Sequence, residues 1–204
     1  MRRFHSVRIW FTFAVLSWIA AAPIDSHGAQ TQTQDEYKPW EGQPGKDVIW
    51  APTTPALVDQ MLEMAQVTPN DYVVDLGSGD GRIVIAAAKR GANALGIEYN
   101  PDLVGLSNRK ATKEGVSDKA HFIQADLFEI DFSKATVLTL FLSSNLNLRL
   151  RSRILEMRPG TRIVSNSFAM GEWKPDQEVH VEGDCHSFCT AYLWIVPAKI
   201  KTAK

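Results

Sequence analysis

A glycine-rich turn between a predicted strand and a predicted helix is the feature that most constrains this chain. The segment Val73–Arg82 reads Val-Val-Asp-Leu-Gly-Ser-Gly-Asp-Gly-Arg, so an apolar run ends in three alternating glycines. A loop with few side chains at a helix N-terminus is typical of nucleotide-cofactor sites. A dinucleotide fingerprint needs G-x-G-x-x-G, and Arg82 occupies the position of its third glycine. The turn therefore favours a nucleotide-like cofactor over a dinucleotide.

Strand-like and helix-like segments alternate around this turn. The predicted strands span residues 72–76, 94–98, 120–124, 137–142 and 162–168. One helix is predicted to begin directly after Thr54, and three more span residues 82–90, 102–114 and 146–157. Residues 178–181 and 188–196 predict an antiparallel hairpin. Because repeated β-α units form parallel sheets covered on both faces, we predict a single α/β domain. It is a Rossmann-like, doubly wound, mostly parallel seven-stranded sheet with a C-terminal antiparallel hairpin.

The segment 146–157 is compatible with two structures. Leu146, Leu148 and Leu150 alternate with polar residues as in a strand, whereas Leu146, Leu150 and Ile154 follow a helical spacing. The Pro159-Gly160 pair closes the segment as the end of a helix would. The pattern favours a helix, with a strand as the alternative.

The N-terminus differs in composition from the rest of the chain. Arg2, Arg3 and Arg8 precede an apolar run over residues 9–22, which is the layout of a secretory signal and is shorter than the roughly 20 residues that span a bilayer. We predict a signal peptide or N-terminal membrane anchor over residues 1–29, a linker over residues 30–46 and one domain over residues 47–204. The protein is then exported, periplasmic or membrane-anchored if bacterial, and mitochondrial if eukaryotic.

Charge and length limit the expected partners. The 204 residues carry a formal net charge of -1, so no global field attracts nucleic acid or an anionic membrane. A hydrophobic fraction of 45% is enough for one domain with a full core. Arg149, Arg151, Arg153 and Arg158 form a local basic cluster, which we interpret as a solvated helix face. Nucleic-acid binding is therefore not expected.

Carboxylates follow three successive strands. Asp75 ends the first strand, Glu98 ends the second about 20 residues beyond the glycines, and Asp126 follows the third. Ligands of open α/β sheets bind beyond the carboxyl ends of the strands, where Glu98 can accept from ribose hydroxyls and Asp126 from an adenine amino group. Asp75 and Asp80 flank the glycine turn, which has no phosphate-binding lysine. This favours S-adenosylmethionine, a cationic adenosine cofactor without phosphate.

The extended motif resembles a known enzyme family. Residues 75–91 read D-L-G-S-G-D-G-R-I-V-I-A-A-A-K-R-G, and G-x-E-x-N-P follows from Gly96. These motifs resemble class I S-adenosylmethionine-dependent methyltransferases. More narrowly, they are similar to the mitochondrial lysine methyltransferases of the ATP synthase c subunit and the adenine nucleotide translocator, and to their bacterial relatives. The likeness covers roughly residues 47–176 and implies methyl transfer to a protein lysine.

The resemblance implies a set of cofactor-binding residues. They are Thr53, Thr54, Asp75, Gly77, Ser78, Gly79, Asp80, Glu98, Asp126 and Leu127. Backbone groups of the glycine turn would approach the methionine part, while Asp75 and Asp80 would hold its ammonium group. Glu98 would bind the ribose, and Asp126 with Leu127 would surround the adenine. Thr53 and Thr54 belong to a segment that the family places over the cofactor.

The substrate side is less defined by the motifs. Ser143 and Asn145, after the fourth strand, and Trp173 are the candidates for the substrate pocket. No residue is predicted as a catalytic acid or base, because a neutral amine in line with a sulfonium reacts largely through orientation and desolvation. The expected partner is a protein substrate, including a membrane protein, and the N-terminal segment offers a route to membrane association.

Two further functions remain open. The same scaffold supports methylation of RNA or a small molecule, and a non-catalytic adenosyl-binding envelope protein could keep the fold. An exported enzyme also lacks an evident supply of S-adenosylmethionine, which is made in the cytosol.

Two cysteines in the predicted hairpin raise the question of a metal or disulfide. Four strand steps would separate the sulfurs of Cys185 and Cys189 by about 13 Å, too far for either. We therefore predict no metal site. An oxidised pair requires that the hairpin loop extend past Cys185.

Overall fold

The computed structural model describes residues 37–183, 185 and 187–198. The predicted leader, residues 1–29, and residues 30–36 of the predicted linker lie outside the described residues, so both stay predictions. Within the described part of the chain, no helix combines the length and apolarity needed to cross a membrane.

The described residues form one seven-stranded mixed sheet. Its strands are β1 (Tyr72–Leu76), β2 (Asn93–Glu98), β3 (Ala120–Gln124), β4 (Val137–Leu140), β5 (Arg162–Asn166), β6 (Gln177–His180) and β7 (Thr190–Ile195). The strand order is β3-β2-β1-β4-β5-β7-β6, with β1 to β5 parallel and β7 antiparallel to both of its neighbours. This confirms the predicted parallel sheet with a C-terminal antiparallel hairpin.

Four helices of the described chain connect and cover the strands. They are α1 (Pro55–Met64), α2 (Arg82–Lys89), α3 (Pro101–Lys113) and α4 (Ser144–Leu155). Thr54 and Asn100 cap α1 and α3 with their side-chain oxygens, and each cap precedes a proline whose fixed φ suits the first helical turn. The segment 146–157 thus lies in a helix rather than a strand, as its spacing favours.

Apolar side chains bury both faces of the sheet. Leu57, Met61 and Val84, from α1 and α2, belong to the cluster that covers one face, while Leu150 and Ile154 of α4 belong to the cluster on the other. All five side chains are fully buried. Each contributes about 2 kcal/mol through burial, so the sheet is a rigid platform for the loops at its carboxyl end.

The C-terminal hairpin differs from the expectation at the cysteines. Strand β7 begins at Thr190, two residues later than expected, so Cys185 and Cys189 lie in the connecting loop. Their Cα atoms are 5.6 Å apart and their sulfurs form a disulfide. The separation of about 13 Å was wrong because it assumed an extended strand. The condition for an oxidised pair, a loop that extends past Cys185, is met. Among the described residues, no group of three or more His, Cys, Asp or Glu side chains is placed to hold a metal ion.

Candidate active site

A cavity of about 960 Å³, including its open mouth, lies at the carboxyl ends of β1 and β2. Nine of the predicted cofactor residues line it: Thr53, Asp75, Gly77, Ser78, Gly79, Asp80, Glu98, Asp126 and Leu127. The tenth, Thr54, caps α1 by accepting a hydrogen bond from the Leu57 amide at 3.4 Å. The side chain of Thr54 therefore caps a helix and does not line the cavity.

The glycine turn approaches the cavity through its backbone. Gly77 and Gly79 have φ angles of 78° and 54°, in the left-handed region that favours glycine. The amides of Gly77 and Ser78 donate to the Ile97 carbonyl on β2 at 2.8 and 3.0 Å. A Cβ atom at Gly79 would lie 2.9 Å from Nε1 of Trp50, so only glycine fits between the turn and this indole.

Glu98 joins the glycine turn to the start of α3. Its Oε2 atom accepts a hydrogen bond from the Gly79 amide at 2.9 Å, and its Oε1 atom accepts from the Asn100 amide at 2.8 Å. A carboxylate oxygen has more than one acceptor site, so both atoms can also accept from a ligand hydroxyl. The residue thus supports the turn and lies where the predicted ribose would bind.

Asp75 is a buried carboxyl group beneath the turn. Its side chain is 2% exposed, and the Thr139 hydroxyl donates to its Oδ1 atom at 2.6 Å. Burial raises the pKa of Asp75 to about 7 in spite of this hydrogen bond, and the negative charges of Glu98 and Asp80 raise it further. A cation bound in the cavity would stabilise the ionised form of Asp75.

Asp80 has two basic partners. Arg82 donates to both of its carboxylate oxygens, at 2.8 and 2.7 Å, and the Lys110 ammonium donates at 2.6 Å. Burial alone would raise the pKa of Asp80, but the hydrogen bonds and charges of Arg82 and Lys110 hold it at about 2. Arg82 also donates to the Thr53 carbonyl at 2.6 Å, which fixes the segment before α1 to the turn. A direct contact of Asp80 with a ligand ammonium stays a prediction.

Asp126 is paired with a residue that sequence reasoning missed. Lys46 forms an ion pair with its Oδ2 atom, and the Lys46 ammonium lies 4.8 Å from the centre of the Tyr99 ring. The Phe128 amide donates to the other carboxylate oxygen at 2.8 Å. Lys46 lies in the predicted linker, yet residues 43–46 line the cavity. The 80 residues between the partners leave no local pattern that could reveal the contact.

We expect Lys46→Ala to tighten binding of S-adenosylmethionine by about threefold, because the adenine amino group no longer competes with the ammonium for Asp126. The effect should shrink in 0.5 M salt, which screens the pair in the wild-type protein. Isothermal titration calorimetry at low and high salt measures both. Lys38→Ala, which removes an exposed positive charge from the same segment, is the control. Weaker binding by Lys46→Ala would show that the lysine itself contacts the ligand.

The three predicted substrate residues do not line the cavity. Ser143 caps α4 by accepting from the Leu146 amide at 3.4 Å, and Asn145 is exposed. The Trp173 ring packs 6.2 Å from that of Trp194. Their contact with a substrate stays a prediction.

Sequence reasoning also missed several residues of the lining. Trp50, Tyr99 and Phe141 line the cavity beside the predicted set. Tyr99 had a signal in the sequence, because it directly follows Glu98 at the carboxyl end of a predicted strand, where ligands of such sheets bind.

The residues fit S-adenosylmethionine. The cavity brings together five carboxylates, the four predicted ones and that of Asp47, beside a turn of glycines. Clustered carboxylates favour a bound cation, so the charge of the lining suits the sulfonium and ammonium groups of this cofactor.

Comparison with known proteins agrees with this chemistry. A family model described as the ANTKMT methyltransferase domain matches residues 75–177. The chain is 40% identical over 152 residues to a protein-lysine N-methyltransferase of Saccharolobus islandicus, and the match covers 73% of this chain and 94% of that protein. It is 36% identical over 136 residues to the Homo sapiens lysine N-methyltransferase named for the C subunit of ATP synthase, and this match covers 66% of this chain and 57% of that protein.

A solved structure supports the same assignment. The crystal structure of an RNA methyltransferase from Salinibacter ruber in complex with S-adenosyl-L-homocysteine has a TM-score of 0.69 and 47% sequence identity. The match covers 75% of this chain and 98% of that chain. The chain therefore belongs to the ANTKMT family of S-adenosylmethionine-dependent methyltransferases.

Proposed function

We propose that the protein transfers the methyl group of S-adenosylmethionine to the side-chain amine of a lysine in a protein substrate. The observation that carries the proposal is the likeness to two lysine methyltransferases at 40% and 36% identity. The match covers 152 residues and 94% of the Saccharolobus islandicus protein, so it extends well beyond the glycine turn.

The site can support this reaction without a dedicated base. When bound, S-adenosylmethionine supplies an electrophilic methyl group on a cationic sulfur. The lysine nitrogen forms the new bond to this carbon, the sulfur keeps the electron pair of the broken bond, and one amine proton leaves to water. Asp75 and Glu98 would hold the cofactor, and the apolar Phe141 and Leu142 in the lining would limit water near the amine.

RNA is the second candidate substrate, because the Salinibacter ruber protein is named an RNA methyltransferase. The arginines of α4 give it little support. Arg151 donates to the Met170 carbonyl at 2.9 Å and Arg153 to the Phe128 carbonyl at 2.7 Å. The guanidinium of Arg149 lies 3.7 Å from the centre of the Phe128 ring. The interpretation as a solvated face is therefore wrong for Arg151 and Arg153, whose guanidinium groups bind backbone carbonyls. The arginines do not form the free basic face that phosphate contacts need.

A transfer assay separates the candidates. Purified protein is incubated with methyl-labelled S-adenosylmethionine and with protein, RNA and small-molecule fractions of the source cells. We expect label in protein, recovered after acid hydrolysis as methylated lysine. Glu63→Ala, which removes an exposed carboxylate on α1, is the control that should keep full activity.

Each other outcome of this assay contradicts the proposal in its own way. Label in RNA would identify the second candidate substrate. Cofactor binding without label in any fraction would identify a non-catalytic adenosyl-binding protein.

A further inference from the structure

We propose that Phe141, Phe168 and Phe188 form the surface that receives the side chain of the acceptor lysine, and that the Cys185–Cys189 disulfide holds Phe188 in this surface. This inference rests on the proposed function and adds the residues that select the acceptor. We call the three rings the aromatic wall.

The wall is assembled from three separate segments. Phe141 directly follows β4, Phe168 follows β5, and Phe188 lies in the loop before β7. The ring centre of Phe188 is 5.3 Å from that of Phe141 and 5.7 Å from that of Phe168, and the latter two are 6.1 Å apart. All three rings are at least partly exposed, and Phe188 is 45% exposed. Such a cluster leaves apolar surface for a ligand to cover.

The wall continues from the cofactor cavity. Phe141 belongs to both, because it lines the cavity and packs on the other two rings. Two residues earlier on β4, Thr139 donates to Asp75 beneath the glycine turn. Side chains two apart on a strand lie on one face of the sheet, so Phe141 follows Asp75 along the edge where the cofactor binds. An amine on the wall is therefore next to the cofactor.

The disulfide constrains the segment that carries Phe188. Phe188 has a φ angle of 60°, in the left-handed region that residues with side chains rarely adopt. The adjacent Cys189 is bonded to Cys185, and its carbonyl accepts from the Val181 amide at 2.8 Å. A crosslink across four residues restricts the alternative conformations that the loop would otherwise adopt. Phe188 thus keeps an exposed and unfavourable conformation that places it against Phe141.

The chemistry of the wall suits a lysine. The methylene chain of a lysine packs on apolar surface, and its ammonium or methylated ammonium is attracted to aromatic ring faces. Residues 177–198 contain Glu178, Glu182 and Asp184 but no lysine or arginine. The hairpin therefore offers no cation to an RNA phosphate and an acidic setting to a basic peptide.

Peptide binding tests the wall without turnover. The probe is acetyl-Gly-Gly-Lys-Gly-Gly-amide, titrated by NMR into protein saturated with S-adenosylhomocysteine. We expect Phe188→Ala to weaken its binding at least about fivefold, while affinity for S-adenosylhomocysteine stays within about twofold. Ile195→Ala is the matched control, because Ile195 lies in the same hairpin and is 44% exposed. The norleucine analogue of the peptide, which lacks the ammonium, should bind more weakly to the wild type and respond less to Phe188→Ala.

The disulfide is tested with the double variant Cys185→Ser/Cys189→Ser. We expect it to weaken peptide binding about threefold, and dithiothreitol to bring the wild type to the same affinity without changing the variant. Equal affinities of Phe188→Ala and Ile195→Ala would overturn the wall, and an unchanged double variant would overturn the role of the disulfide. If oligouridylate bound to the protein and this binding depended on Phe188, the wall would be a site for RNA and the proposal of a lysine site would be wrong. Label in protein lysine together with a peptide affinity independent of Phe188 would refute this inference and leave the proposed function standing.

Discussion

Replacing Glu98 by alanine is expected to weaken binding of S-adenosylmethionine by at least about 100-fold. The carboxylate accepts hydrogen bonds from the amides of Gly79 and Asn100, at 2.9 and 2.8 Å. A hydrogen bond to a charged group contributes about 1.5–3 kcal/mol, so the loss of the two expected bonds from the ribose hydroxyls alone accounts for the 100-fold weakening. Loss of the support for the glycine turn adds to it. Isothermal titration calorimetry with S-adenosylmethionine and S-adenosylhomocysteine measures the change.

Two further variants separate these contributions. Glu98→Gln keeps one carbonyl oxygen as an acceptor, so we expect an intermediate loss of about tenfold. Glu178→Ala removes an exposed carboxylate far along the chain and should bind as the wild type does. If Glu98→Ala bound both ligands within about fivefold of the wild type, the assignment of Glu98 to the ribose would be refuted.

The fold could be predicted because its signals are local or periodic. The glycine turn, the caps at Thr54 and Asn100 and the alternation of strands and helices are all patterns within about 15 residues. The predicted boundaries differ from the observed ones mainly at the ends of strands, where hydrogen bonding to the neighbouring strand determines the last residue. Strand β4 ends at Leu140 rather than at residue 142 because its pairing with β5 ends there.

The gathering of the candidate cofactor residues in one cavity was also predictable, because the topology of a sheet fixes where successive strands end. Asp75, Glu98 and Asp126 lie at the carboxyl ends of three neighbouring strands and line one cavity, as the alternating pattern predicts. Contacts across the sequence were not predictable. Lys46 reaches Asp126 from a polar segment without periodicity, and Phe188 meets Phe141 through a loop whose shape depends on a disulfide.

Replacing Asp75 by asparagine is expected to stabilise the ligand-free protein at pH 8 while weakening cofactor binding. The pKa of Asp75 is raised from its ordinary value of 3.8 to about 7, chiefly by burial. A raised pKa means that the folded protein favours the protonated form. The stability from this group is therefore fully present below about pH 4 and is lost as the pH rises through 7. The loss amounts to about 4 kcal/mol, from 1.36 kcal/mol per unit of pKa.

Asparagine removes this cost because it stays neutral, and its carbonyl can still accept from the Thr139 hydroxyl that lies 2.6 Å from Asp75. The free energies of unfolding of the two proteins should thus be similar below pH 4 and diverge between pH 4 and 7, with asparagine the more stable at and above pH 7. Urea unfolding at four pH values measures the difference in unfolding free energy between the two proteins. Both proteins contain Asp71, Asp80 and the other titrating groups, so the contributions of those groups cancel in this difference. If the difference in unfolding free energy between the two proteins did not change with pH, Asp75 would have an ordinary pKa in the folded protein.

Cofactor binding should respond in the opposite sense. A cationic ligand favours the ionised form of Asp75, so wild-type affinity for S-adenosylmethionine should rise between pH 6 and 8, by up to about tenfold per pH unit below the pKa. Asparagine cannot gain this charge, so the affinity ratio of the two proteins should be small at pH 6 and at least about tenfold at pH 8. The carboxylate that destabilises the ligand-free fold is then the group that attracts the cofactor. If the ratio of the two affinities did not change with pH, Asp75 would not be the group that attracts the cation, and another group in the cavity would have this role.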